Sequence, residues 1–137
     1  MRTKLPITRK GETTKIEVYT PTGQLDVYIT VNCYEGTNIP GEVFVNVGLE
    51  EHSWLSQWAR AVSVLLQHGE TVTKLVDLFG FTRFEPAGRT SYQIDGKPLL
   101  CTSLVDLVVR YMDSFYSSPT EEERTIQKPK QGVCHGG

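Results

Sequence analysis

Apolar and polar residues alternate along the first third of the chain. Every second residue is apolar in Lys15-Ile16-Glu17-Val18-Tyr19, and the alternation returns at Leu25, Val27, Ile29 and Val31. A period of two is typical of a strand with one buried face. A third short segment follows at Val43-Phe44-Val45-Asn46-Val47. The pattern predicts an antiparallel sheet of about three strands, joined at first by a Pro-Thr-Gly turn.

Beyond Gly48 the apolar residues recur at intervals of three and four, which predicts amphipathic helices. The first helix begins near Trp54 and ends at His68-Gly69, because glycine fits the left-handed position after a helix. A shorter helix ends at Gly80, and a third runs from about Ser103 to Phe115, where Ser103 and Asp106 resemble a capping box. We expect residues 81–100 to be irregular, since glycine and proline interrupt them.

The predicted fold class is α+β, a small antiparallel sheet packed against three helices. Residues 1–116 form the one predicted domain. From Ser117 the composition becomes polar, and Ile126 and Val133 are the sizeable aliphatic residues left. Such a segment buries too little apolar area to offset chain entropy, so residues 117–137 are predicted to be a flexible, disordered tail.

Composition and charge exclude several classes of protein. The chain has 137 residues, 39% hydrophobic and 22% charged, with a formal charge of -2. This near-neutral balance argues against a nucleic-acid partner, and no apolar run is long enough for a membrane span. The N-terminus lacks the apolar region of a secretory signal. Three widely spaced cysteines suit a reducing compartment, so the expected location is cytoplasmic.

Few residues show a spacing that would support catalysis or metal binding. Cys134 and His135 are adjacent, and two ligands are too few for a structural metal site. Cys33 and Cys101 are expected in the core, as are Trp54 and Trp58. The chain lacks the nucleophile elbow and the phosphate-binding glycine loops. We therefore predict no catalytic residue, no metal, no cofactor and no enzymatic activity.

The loop after the second helix is the best candidate for a ligand site. Arginine can bind phosphate or carboxylate, and an aromatic ring can stack on a base. The alternative is structural: Arg83 pairs with Glu85 and both phenylalanines fill the core. The candidate ligand-binding residues are Arg83, Phe84, Glu85, Arg89, Thr90 and Tyr92.

Several strings occur in a characteristic order along the chain. They are Leu5-Pro6, Gly11-Glu12-Thr13, Tyr34-Glu35, Gly41-Glu42-Val43-Phe44, Ala61-Val62-Ser63-Val64-Leu65-Leu66-Gln67-His68-Gly69, Phe81-Thr82-Arg83-Phe84-Glu85-Pro86-Ala87-Gly88 and Thr102-Ser103-Leu104-Val105-Asp106-Leu107. Together they resemble the C-terminal accessory, TSCPD-type domain of adenosylcobalamin-dependent class II ribonucleotide reductases, over residues 4–116. The catalytic barrel and the reducible cysteine pair of those enzymes have no counterpart in this sequence.

The resemblance implies a context in nucleotide metabolism rather than a reaction. One hypothesis is a non-catalytic accessory or nucleotide-binding module that supports deoxynucleotide synthesis. The other is a sponge or regulator that sequesters nucleotide-derived signals, as in phage anti-defence. The partners considered are a nucleotide or other anionic small molecule, a reductase catalytic subunit, and further copies of the chain in a homo-oligomer.

Overall fold

A computed structural model describes residues 1–116, which form a five-stranded sheet and three α-helices. The α+β class is confirmed. The predicted tail, with Cys134 and His135, lies outside the described residues. A short 3-10 turn, Glu50–His52, precedes the first helix. The strands β1 to β5 are Gly11–Thr20, Gly23–Cys33, Pro40–Asn46, Gly88–Ile94 and Lys97–Cys101, and the helices α1 to α3 are Trp54–Gln67, Val72–Phe79 and Leu104–Phe115.

The sheet has five strands, so the predicted count of three is wrong. The strand order is β3-β2-β1-β4-β5, and every neighbouring pair is antiparallel. The β4–β5 hairpin occupies residues that were expected to be irregular. Its turn is formed by Asp95 and Gly96, with φ of 54° and 78°. Positive φ at both residues matches the tight hairpin turn that Asp-Gly favours.

The core lies between one face of the sheet and the helices. β1 and β2 direct Val18, Val27 and Ile29 into it, each with no exposed surface. α1 packs against β3, and α3 packs against α2 and β5. Cys33 and Cys101 are both buried, as expected. Burying an aliphatic side chain of this size contributes about 1.5–3 kcal/mol, so this layer dominates the stability of the fold.

The opposite face of the sheet carries a mixture of polar and aromatic side chains. Tyr19, Tyr28 and Phe44 are exposed there, on β1, β2 and β3. Lys15 forms ion pairs with Glu17 and Asp26 on the same face, at 4.0 and 3.8 Å. An antiparallel sheet with one solvated face commonly shows this arrangement.

The helix boundaries agree with the periodicity of the sequence. α1 ends at Gln67, and Gly69 has φ of 98°, as predicted for a glycine that ends a helix. One expectation for α1 is wrong: Trp54, the first residue of the helix, is exposed. No helix in residues 1–116 is long and apolar enough to cross a membrane.

Candidate functional site

A buried carboxylate fixes the start of the loop that joins α2 to β4. Asp106 lies in the first turn of α3 and has no exposed surface. Its Oδ1 accepts a hydrogen bond from the backbone N–H of Phe81 at 2.6 Å, and its Oδ2 accepts one from Thr102 at 2.9 Å. Nη1 of Arg110 lies 3.1 Å from the same Oδ2. Asp106 therefore ties the loop to the end of β5 and to α3.

Local sequence explains why Asp106 occupies this position. Ser103 is the N-cap of α3, and its Oγ accepts the Asp106 backbone N–H at 3.0 Å. This half of the predicted capping box is present. In the usual box the carboxylate would bond to the N-cap N–H. Here it bonds to the residue before the cap and to the loop, so the helix start also becomes the anchor of the loop.

The loop also lies against Thr102. Phe84 donates its backbone N–H to the Thr102 carbonyl at 3.0 Å, and the Thr102 hydroxyl donates to the Thr82 carbonyl at 2.9 Å. These contacts hold residues 82–84 in a defined path outside any helix or strand. The loop therefore presents its side chains from a fixed backbone.

The loop, the start of α1 and one arginine of α3 form a surface with three exposed aromatic rings. Phe81 is 63% exposed, Trp54 39% and Phe84 37%. The Trp54 and Phe84 rings are 5.9 Å apart, and Cζ of Arg110 lies 4.3 Å from the centre of the Phe81 ring. We call Trp54, Phe81, Phe84 and Arg110 the aromatic surface. Exposed aromatic residues beside arginine are typical of protein interfaces.

The predicted ligand residues do not converge on one point. Arg83, Phe84 and Glu85 are exposed in the loop, and Arg89 is exposed on the open face of the sheet. Thr90 follows Arg89 on β4 and therefore points to the opposite face, where its hydroxyl donates to the Leu99 carbonyl at 2.8 Å.

Tyr92 is held by α3 rather than by the loop. Its hydroxyl lies 2.8 Å from the Ser114 hydroxyl, and its ring contacts Tyr111 edge-on at 5.0 Å. Thr90 and Tyr92 are thus occupied by internal contacts. Arg83 and Arg89 remain accessible to an anion.

The alternative of an internal Arg83–Glu85 contact is wrong. Both side chains are exposed, and no ion pair joins Arg83 to Glu85. The phenylalanines of the loop are exposed as well. The loop is held instead by the hydrogen bond from the Phe81 N–H to Asp106, a residue that the sequence indicated only as part of a helix cap.

A buried thiol and an exposed phenol have raised pKa values. Burial raises the pKa of the Cys101 thiol, so this side chain is a core residue and a poor nucleophile. On the open face, the Tyr19 hydroxyl donates to the Glu17 carboxylate at 2.9 Å, which raises the pKa of the phenol. Cζ of Arg89 lies 5.3 Å from the centre of the same ring.

The clefts of the described chain lie apart from the predicted ligand residues. One cleft of about 480 Å³ lies between the end of β3 and the start of α1, and another of about 210 Å³ lies beside the end of α1. None of the predicted ligand residues lines either cleft. Within residues 1–116, no group of three or more histidine, cysteine or acidic side chains could hold a metal ion.

Asp106, Arg110 and Trp54 belong to the site although they were not among the predicted ligand residues. Arg110 and Asp106 are spaced by one helical turn, a signal that predicts an ion pair but not its role in holding a loop. Trp54 was assigned to the core because its spacing fits the apolar stripe of α1. Its position as the first residue of α1 could have indicated an exposed ring.

Comparison with protein families gives a match over nearly all of the described chain. Residues 2–116 match the family model described as the TSCPD domain. The chain belongs to the TSCPD domain family. The expected resemblance is therefore confirmed, and it covers the sheet, the helices and the aromatic surface alike.

The curated relatives of this TSCPD chain are much longer proteins. It is 37% identical over 120 residues to the vitamin B12-dependent ribonucleotide reductase of Bradyrhizobium diazoefficiens, covering 85% of this chain and 9% of that protein. The Agrobacterium fabrum reductase of that name is 32% identical, over 84% of this chain and 9% of the relative. The reductase of Rhodopirellula baltica is 30% identical, over 85% of this chain and 11% of that protein. No solved structure matches the chain.

Proposed function

We propose that this TSCPD chain is a non-catalytic accessory module that docks on the catalytic part of a B12-dependent ribonucleotide reductase and supports deoxynucleotide synthesis. The observation that carries the proposal is the aromatic surface, exposed on a loop that Asp106 holds in place. The relatives support the choice of partner, because this chain matches only about a tenth of their length. The remaining nine-tenths provide the surface on which such a module docks.

The chemistry of the aromatic surface suits a protein partner. Tryptophan and arginine are among the residues that carry most binding energy at interfaces, and aromatic rings bury a large area with few rotatable bonds. The backbone of the loop is already fixed by Thr102 and Asp106. Little ordering is required when a partner binds, so more of the contact energy appears as affinity.

Binding to a reductase that lacks its own matched segment tests the proposal. The Bradyrhizobium enzyme without that segment is titrated into fluorescently labelled chain, and anisotropy gives Kd. We expect Phe84→Ala to weaken binding by about 30-fold, the loss typical of a central interface aromatic. The matched control is Phe44→Ala, on the open face of the sheet, which we expect to change Kd less than about twofold.

Two outcomes contradict the docking proposal. One is the absence of binding at micromolar reductase by the wild-type chain. The other is an equal loss of affinity in Phe84→Ala and Phe44→Ala. Circular dichroism melting of both variants checks that the fold is intact, which is expected because both rings are exposed.

The non-catalytic part of the proposal has its own assay. The purified chain is incubated with a ribonucleotide, adenosylcobalamin and a dithiol, and deoxynucleotide is measured by liquid chromatography. We expect none above the protein-free blank, whereas the Bradyrhizobium reductase serves as the positive control. Any turnover by the chain alone contradicts the proposal.

A narrower form of the proposal is that the module binds a nucleotide through Arg83 or Arg89. The support is that both cations are exposed and that Arg89 stands over the Tyr19 ring. Calorimetric titration with ATP tests it. Because charge-assisted hydrogen bonds are strong, loss of the contacting arginine should weaken binding about tenfold or more, with little change in Tm. Unchanged ATP affinity in both Arg83→Ala and Arg89→Ala contradicts this form. No observation favours the sequestration alternative.

A further inference from the structure

The outer edge of β3 is closed by α1 over part of its length. Oγ of Ser63 accepts the Val43 backbone N–H at 2.9 Å and lies 3.1 Å from the Val43 carbonyl oxygen. One turn later, Nε2 of Gln67 donates to the Gly41 carbonyl at 3.1 Å. These two helix side chains satisfy the backbone groups that an edge strand would otherwise leave open. Additional strands cannot pair with this part of β3.

Val45 is the next residue of β3 whose backbone groups point outward, and although it is only 5% exposed, no described side chain of α1 bonds to it. Val31 and Val43 face each other without exchanging hydrogen bonds, since the Val43 N–H is directed to Ser63. In an antiparallel ladder this pattern repeats every second residue, so the N–H and C=O of Val45 also point away from β2. Among the backbone groups and the described side chains, neither group has a hydrogen-bond partner.

A cleft of about 480 Å³ lies at this open position. It is lined by Val45, Val47, Leu49, His52, Ser53 and Ser56, among others. Ligand sites of this kind commonly measure about 300–1,000 Å³. Among the lining residues whose side chains the structure describes, His52 is the one titratable group, and Nε2 of its ring lies 3.8 Å from a Glu51 carboxylate oxygen. The rest of the described lining is uncharged, which suits an uncharged ligand.

We propose that this cleft binds a short, uncharged, extended peptide segment, which adds to the edge of β3 at Val45. An extended backbone supplies the acceptor and donor that the Val45 N–H and C=O lack. The segment is short, because Ser63 closes the edge at Val43. The source of the segment rests on the proposed function: Ser53 lines the cleft and its neighbour Trp54 belongs to the aromatic surface, so the segment comes from the docked reductase.

A model peptide tests the cleft without the reductase. The probe is an acetylated and amidated tetrapeptide of alternating threonine and valine, titrated into ¹⁵N-labelled chain. We expect saturable shifts of residues 45–49 and at least tenfold slower hydrogen exchange of the Val45 amide. An analogue N-methylated at the central valine loses a backbone donor, and we expect its Kd to rise at least threefold.

Cleft-filling variants give the control for specificity. Ser56→Phe places a large ring in the cleft and is expected to raise the Kd of the peptide by tenfold or more. Gln57→Phe makes a comparable change at the next, exposed position of α1, outside the cleft lining, and is expected to leave Kd within twofold. Absence of peptide shifts at Val45, or equal peptide binding by Ser56→Phe and wild type, overturns the proposal.

The reductase arm separates this inference from the docking proposal. If the bound reductase slows exchange of the Val45 amide in wild type and not in Ser56→Phe, the source of the segment is supported. If the reductase binds through Phe84 but leaves the exchange of the Val45 amide unchanged, the segment does not come from the reductase, and the docking proposal stands. Slower Val45 exchange in the chain alone at high concentration would mean that a second copy fills the cleft, which also overturns the source.

Discussion

Replacing Asp106 by alanine removes the acceptor shared by the loop, the end of β5 and α3. The carboxylate is completely buried and accepts from Phe81, Thr102 and Arg110 at 2.6, 2.9 and 3.1 Å. Two of these donors are backbone N–H groups in part-buried positions. The substitution leaves them without partners and leaves the guanidinium without its counter-charge.

The cost follows from the donors that lose their acceptor. An unsatisfied buried donor costs about 1–3 kcal/mol, and the loss of one member of a buried ion pair about 3–5 kcal/mol in total. We expect Asp106→Ala to lower the free energy of unfolding by about 3–5 kcal/mol. For a domain of this size that corresponds to a fall in Tm of roughly 10–20 °C. Arg110→Ala should cost less, about 1 kcal/mol, because two backbone N–H groups still stabilise the buried carboxylate and the Arg110 side chain is 23% exposed.

Urea unfolding followed by circular dichroism measures both variants. Asp113→Ala is the matched control, since Asp113 is exposed on the same helix, and it should change stability by no more than about 0.5 kcal/mol. A loss below about 1 kcal/mol in Asp106→Ala would refute the assignment of Asp106 as the anchor of the loop. So would a loss in Arg110→Ala as large as in Asp106→Ala.

Further predictions concern single contacts of the fold. Ser103→Ala removes the α3 cap and should cost about 1 kcal/mol in urea unfolding; no measurable loss would mean that the cap is dispensable. At Gly88, with φ of 153°, a Cβ would lie 2.3 Å from a β1 carbonyl oxygen, whereas at Gly96 it would meet nothing within 4 Å. Gly88→Ala should therefore destabilise more than Gly96→Ala, and the reverse order in thermal melts would contradict the close approach of β1 and β4. Burial raises the pKa of Tyr111 from 10.0 to about 12. The stabilisation by the neutral phenol is complete below pH 10 and is lost as the pH rises from 10 through 12. In Tyr111→Phe the free energy of unfolding should therefore depend less on pH over this window. An unchanged dependence on pH would contradict the prediction.

Elements whose apolar pattern is regular could be predicted from the sequence. The alternation in β1 and β2 and the helical spacing in α1 each record which face meets the core. The cap at Ser103 is equally local, since it depends on a residue three positions later. β4 and β5 were missed because glycine and proline interrupt a short hairpin, although Asp95-Gly96 is a strong hairpin signal.

The candidate site depended on contacts between residues that are distant in sequence. The Phe81 N–H meets a carboxylate 25 positions later, and the ring of Trp54 meets that of Phe84 only because α1 and the loop pack side by side. Likewise, Val43 is closed by Ser63, a helix residue 20 positions later, whereas no described side chain of α1 bonds to the backbone of Val45. The sequence alone was enough to predict the family, the helices and three of the five strands, because these follow from local spacing and recognisable strings. Which side chains remain exposed, and which backbone groups remain unpaired, was decided by tertiary packing, since burial and edge pairing are properties of the assembled layers.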